Sequence, residues 1–357
     1  MEEYKVVRII NEEPEFCEGQ RSNSIADYFI ICEEDKNLYG QKIYDLEICG
    51  MSLVNWVARA CTVKPRVIKV SGDEDVLDVI RPYVNEESDY SVVLYADTPL
   101  VNKAHILDLI EFLDRKRMNF CKLKRGFIFR NDYIRYNDEF YSVDEYDFDS
   151  DDFMVVDNTD MFDDAKRLLT KKVINFHKNN GVHFENENTV TIDANVQIGH
   201  GTRLLSGANI VKGSRISSNC VIGTNVKVSG SIIGMNVKIK DNTLVYDSIV
   251  KNNVFIDLEA LVKDSIIGNN SMIELGASIR SSSLKDGVIV KSSVLVDNGR
   301  IGESVVINKY SNIIGLKDRV VIGAGCEIGE DSRIVDSKIA DHSLIDMNSK
   351  IYYRVDE

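Results

Sequence analysis

The sequence predicts a chain of two unlike parts: an α/β domain on a mostly parallel sheet, then a parallel β-helix. Three observations carry this reading. Aliphatic residues recur every five or six positions from about Thr189 onward. Before that point, short apolar runs alternate with segments of helical period. All four prolines (Pro14, Pro65, Pro82 and Pro99) fall within the first hundred residues. Extended ladders exclude proline because it cannot donate a backbone hydrogen bond.

The first part reads in order. "YKVVRII" is a strand near the N-terminus. "MSLVNWVARAC", from Met51 to Cys61, has helical spacing and holds the only tryptophan, Trp56. "RVIKVSG" is a strand, "DEDVLDVIRPYV" a helix and "SVVLYAD" a strand. "NKAHILDLIEFLDRKR" is an amphipathic helix with Asn102 as its cap. This rhythm implies a sheet with helices on both faces. In "VVLYADTPLV" a buried strand runs into Asp97, and Pro99 closes it. An acid there lies where open α/β sheets bind ligands. Asp97 is either a metal-holding carboxylate or a turn acid that starts the next helix. A long helix, about residues 160–179, leads through "NNGVHFENEN" into the repeats.

In the second part Ile192, Ile198, Leu204, Ile210, Ile216, Ile222 and Val228 are six apart. Small or short residues (Val196, Thr202, Ala208, Ser214, Cys220, Val226) follow each by four. The spacing then contracts: Ile233, Ile239, Val245, then Val250, Ile256, Val262, then Ile267, Ile273, Ile279. Two sixes and a five make a coil of seventeen residues. The pattern blurs between Leu295 and Val320 and resumes from Ile322 to Ile351. Such a period predicts a β-helix of triangular section with about nine coils, its aliphatic residues pointing inward.

A formal charge of −14 argues against nucleic acid and anionic membrane as partners. No apolar run approaches the ~20 residues of a membrane span, and "MEEYKVVRII" carries acids where a signal peptide carries bases. Seven widely spaced cysteines without a C-x-x-C fit reduced thiols in a cytoplasmic protein rather than a zinc site.

The repeats resemble the left-handed hexapeptide family, and the left hand is an implication of that resemblance. The order of an α/β domain (1–158), a linker helix and junction (159–188) and a β-helix (189–357) resembles the sugar-1-phosphate nucleotidyltransferases. Within them it is similar to the bacterial bifunctional N-acetylglucosamine-1-phosphate uridyltransferase/glucosamine-1-phosphate acetyltransferase family. "LYADTPLV" looks like that family's Tyr-Gly-Asp-x-Pro-Leu strand end, and "VDNTDMFDDAKRLL" like its Val-Asn-(Asn/Asp)-Arg segment. "INFHKNNGVHFENENTVTID" resembles its domain junction. The fold implied is a shortened Rossmann-like nucleotidyltransferase domain followed by a left-handed parallel β-helix. The resemblance implies that Asp97 holds Mg²⁺, with Asp157 at the second ligand position and Asn158 beside it. It also implies a homotrimer.

Departures from the family stand beside the matches. The family's first strand runs into Gly-x-Gly-(Thr/Ser)-Arg, whose backbone wraps phosphates. Here Gly19 and Arg21 are the nearest counterparts, amid Glu12, Glu13, Glu15 and Glu18. Sixty positions separate Asp97 from Asp157, fewer than the family's sugar-binding lobe uses. The acidic "DEFYSVDEYDFDSDDF" stands in that place and reads as a solvated loop. In the acetyltransferase half, the family's Asn-His pair aligns with Asn308 and Lys309. A lysine becomes a base at neutral pH only when desolvated. His200 and His342 read as exposed corner residues, His105 and His177 as structural.

Three functions therefore stand open. One is a diverged sugar-nucleotide transferase that takes a nucleotide or nucleotide-sugar with Mg²⁺. Another is a non-catalytic metabolite-binding or scaffold relative. The third is a hexapeptide acyltransferase using acetyl-CoA, with Lys309 as its base.

Overall fold

A computed structural model describes residues 26–72, 74–85, 87–136, 145–146 and 151–352. The "YKVVRII" strand, Gly19, Arg21 and the four glutamates around them lie outside the described residues, as does most of the acidic 138–153 segment. The chain divides into two compact units, one ending at Lys172 and the other beginning at Val173.

The first unit is built on a six-stranded sheet among the described residues. Its strands are β1 (Ala26–Glu33), β2 (Arg66–Val70), β3 (Tyr90–Tyr95), β4 (Phe120–Leu123), β5 (Gly126–Arg130) and β6 (Glu145–Tyr146). The order across the sheet is β6-β4-β5-β3-β1-β2. β1 pairs in parallel with β2 and β3. β5 runs antiparallel to both β3 and β4. The sheet is mostly parallel, as the sequence predicts: β6 pairs in parallel with β4, five of the six strands run the same way, and β5 alone is reversed. The cause is local: β4 and β5 are joined by the two residues Lys124 and Arg125, a link that only antiparallel strands accept. Gly126 makes this turn feasible. Its φ is +113°, and a Cβ there would lie 2.3 Å from the Val93 carbonyl oxygen.

β1 is apolar on both faces because both are covered. Tyr28, Ile30 and Cys32 join one core with Val57 and Ala58 of α1 (Leu53–Ala58) and with Ile106, Leu109 and Leu113 of α3 (Lys103–Lys116). Phe29 and Ile31 join the other, with Ile80 of α2 (Val76–Ile80) and Ile134 of α4 (Asn131–Tyr136). Asn102 caps α3 as expected: its side-chain oxygen accepts from the Ala104 and His105 N–H groups at 2.9 and 3.2 Å.

After α5 (Thr159–Asn179), the second unit is the expected parallel β-helix. Its three ladders hold ten, ten and nine strands, or about ten rungs against the nine read from the sequence. Every inter-coil pair is parallel, and residues such as Val228, Val245, Val262 and Ile279 stack in register inside. Early coils are 18 residues long (Thr191 opposite Asn209), and most later ones 17 (Lys227 opposite Leu244).

The shortened corner carries a column of buried serines. The backbone N–H groups of Ser248, Ser265 and Ser282 donate to the hydroxyls of Ser231, Ser248 and Ser265 at 3.1, 3.0 and 3.0 Å. The Ser248 and Ser265 hydroxyls in turn donate to the Tyr246 and Lys263 carbonyls, each at 2.6 Å. Each serine therefore satisfies a buried N–H that the missing residue leaves without a ladder partner. At another corner Asn236, Asn253 and Asn270 take left-handed φ values of 58°, 58° and 57°, which asparagine tolerates. Their amides bond along the column at 3.1 Å. One coil is 21 residues long (Asn312 opposite Arg333), which accounts for the blurred periodicity before Val320. The N–H groups of Leu316, Lys317 and Asp318 in this insertion all donate to Asp336.

Candidate ligand site at the carboxyl edge of the sheet

From β1 the chain crosses to β2 on one side and then returns to β3 on the other. The carboxyl ends of β1 and β3 therefore flank a topological switch point, where open α/β sheets place ligands. Glu33 ends β1, and Asp97 lies two residues beyond β3. Asp97 is buried, 4% exposed.

Four charges meet there. Lys36, on the loop after β1, places its ammonium 3.1 Å from Asp97 Oδ2 and 2.8 Å from Glu33 Oε2. Arg125, from the β4–β5 turn, donates Nε to both Asp97 oxygens at 3.3 and 3.2 Å. Its Nη2 lies 3.0 Å from Asp97 Oδ2 and also pairs with Glu33. The guanidinium sits 3.9 Å over the Tyr95 ring. Burial pulls the Arg125 pKa down, but the Asp97 and Glu33 carboxylates outweigh it and hold it above its ordinary value. Between Glu33, Lys36 and Asp97 and the apolar Ile31, Ile43, Tyr44 and Ala96 lies a concavity of about 10 Å³, room for one water.

The segment bearing the second and third metal candidates comes to the same strand end. The Val156 N–H donates to the Asp97 carbonyl at 2.8 Å. Asp157 and Asn158 follow, both exposed. The Asn158 amide oxygen accepts from the Met161 N–H at 3.0 Å and so caps α5. Its amide nitrogen donates to Asp157 Oδ1 at 2.6 Å.

These residues do not fit Mg²⁺. The ion requires near-octahedral oxygen ligation, and Asp97 gives both its oxygens to side-chain cations. The Asn158 oxygen is committed to its helix. Among the described residues no group of three or more His, Cys, Asp or Glu side chains could hold a metal. The loop after β1, Glu34 to Gly40, contains a single glycine.

Glu33, Lys36 and Arg125 are the site residues that the sequence reading misses. The available signal was "ADYFIICE", a second apolar run ending in an acid, like "VVLYAD". In the β-helix, Lys309 is exposed at a corner. Asn308 donates to Glu327 at 3.3 Å. His200 and His342 are exposed. His105 lies on α3, 3.2 Å from Asp152. His177 is buried, and burial lowers its pKa.

The family match falls within the second unit. The family model described as GMPPB C-terminal domain matches residues 207–314, less than half of the chain. This stretch is thus similar to a sugar-nucleotidyltransferase-related C-terminal domain. Among solved structures, UDP-N-acetylglucosamine acyltransferase from Campylobacter jejuni is 16% identical over 46% of this chain and 70% of that one, with a TM-score of 0.25. UDP-N-acetylglucosamine O-acyltransferase from Moraxella catarrhalis is 14% identical over 44% and 69%, with a TM-score of 0.18. A variant of perosamine N-acetyltransferase from Caulobacter crescentus, solved with CoA and GDP-perosamine, is 14% identical over 78% and 92%, with a TM-score of 0.20. Likeness at this level extends to no particular residue or reaction. No curated protein matches the chain.

Proposed function

We propose that this chain is a diverged relative of the sugar-1-phosphate nucleotidyltransferases. Its first unit binds a nucleotide or nucleotide-sugar at the carboxyl edge of β1 and β3 and does not carry out Mg²⁺-dependent nucleotidyl transfer. The observation behind this reading is the position and state of Asp97: it lies at the switch point, and its carboxylate is held by Lys36 and Arg125. The match of residues 207–314 to a domain from sugar-nucleotide chemistry supports the ligand class. The β-helix acts as the scaffold of a cytoplasmic homotrimer. A charge of −14 disfavours nucleic acid and membrane partners. Acyl transfer from acetyl-CoA is the second reading, and no side-chain constellation in the β-helix comparable to the Asp97 cluster supports it among the described residues.

The test pairs binding with turnover. Calorimetry with UDP-N-acetylglucosamine and UTP is expected to show binding. A pyrophosphate-release assay with Mg²⁺, UTP and N-acetylglucosamine-1-phosphate is expected to show none. Pyrophosphate release that disappears in Asp97→Asn would overturn the reading, because Asp97 would then hold a working metal.

A further inference from the structure

We propose that Lys36 and Arg125 take the place of the divalent cation in this site, so that a phosphate-bearing ligand binds metal-free by displacing Glu33 from the two cations. The inference rests on the binding reading above and concerns how that site takes its ligand.

The depth of the four charges separates their roles. The Asp97 side chain is 5% exposed, whereas those of Arg125, Glu33 and Lys36 are 23%, 25% and 34% exposed. Asp97 is therefore the fixed counter-ion, set under the cations by the strand end. Glu33 is the outer anion, and its Oε2 touches both Lys36 and Arg125. A phosphate oxygen can take that position with the same two partners. Guanidinium suits the role because its planar fork matches phosphate geometry, and an ammonium carries three donors, of which these contacts use two.

The remaining acids of the loop do not oppose such a ligand. Asp35 accepts from the Gly72 N–H. The Glu34 carboxylate lies 4.0 Å from the Lys69 ammonium. Only Glu33 among the loop's acids points into the cluster. With Glu33 in place the concavity holds about 10 Å³, enough for one water. The site thus carries its own anion as occupant, and two carboxylates against two cations leave it neutral.

The test uses the full chain in EDTA at low salt, with pyrophosphate and UDP-N-acetylglucosamine as probes in calorimetry. Glu33→Gln, which keeps the shape and removes the charge, is expected to tighten both by about tenfold, the low end for close charge pairs. Arg125→Met is expected to abolish binding. If that variant unfolds, Arg125→Lys, which keeps the charge but loses the fork, is expected to weaken it. Mn²⁺ titrated by electron paramagnetic resonance is expected to find no stoichiometric site in the wild type. A single Mn²⁺ site that Asp97→Asn removes, or unchanged or weaker binding in Glu33→Gln, would overturn the inference. The two readings fail separately. Pyrophosphate binding enhanced in Glu33→Gln, with no UDP-N-acetylglucosamine binding in any variant, sinks the nucleotide-sugar reading alone. UDP-N-acetylglucosamine binding that requires Mg²⁺ sinks the metal-free inference alone.

Discussion

Asp97 couples the first unit's stability to its site. Removing its charge leaves Lys36 and Arg125 facing Glu33 alone. Breaking a buried pair from one side costs about 3–5 kcal/mol. Both cations are partly solvated here, so Asp97→Asn is expected to cost about 2–3 kcal/mol. Urea denaturation checks this, and the double variant Asp97→Asn/Arg125→Gln should lose less than the sum of its parts. His177 makes a second prediction at this scale. Its pKa is lowered by burial from the ordinary 6.5, so the unfolded chain binds the proton more readily. Stability is then full above about pH 6.5 and falls as pH drops below it. Melting midpoints from pH 8 to pH 5 should show that fall, and His177→Gln should flatten it. The exposed Glu185 has the opposite origin: the Ser206 N–H and hydroxyl hold its pKa below the usual carboxylate value, so its contribution is lost only at still lower pH.

At the scale of elements, the serine column lets each coil run one residue short. Ser265→Ala removes the acceptor of the buried Ser282 N–H and is expected to cost about 1–3 kcal/mol. Ser265→Thr, which keeps the hydroxyl, should recover part of that loss in the same thermal melts. The column also shows where the sequence is legible. The aliphatic period, the seventeen-residue coil and the Asn102 cap are local patterns, and each is found as read. Asp97 at a strand end is equally local. Arg125 is not, because nothing within a few residues of it points to Asp97. Their meeting depends on a tight antiparallel turn, and that turn depends on Gly126 fitting against Val93. β1 is as local a signal as β3, since "ADYFIICE" is likewise an apolar run that ends in an acid, and the sequence reading passes over it. The site is therefore legible where a single segment makes it, and hidden where three segments converge.

For the whole molecule, stability in the β-helix is close to a sum over coils and their interfaces, since each coil touches only its neighbours. Deleting residues 253–269, one full coil, brings Asn270 into the place of Asn253 and preserves both polar columns. Such a variant is expected to keep its strand signal in circular dichroism and melt cooperatively at a modestly lower temperature. Deleting one residue fewer leaves an 18-residue coil, the length of the early coils, but puts its extra residue at the asparagine corner and breaks that column. That variant should melt at a lower temperature than the whole-coil deletion. The 21-residue coil shows a larger change tolerated, because its extra residues loop outward and are tied down by Asp336. Over evolutionary time, then, the length of this domain is quantised. It can grow or shrink by whole coils, by bulges that leave the stack, or by the one residue that a buried serine replaces at its corner.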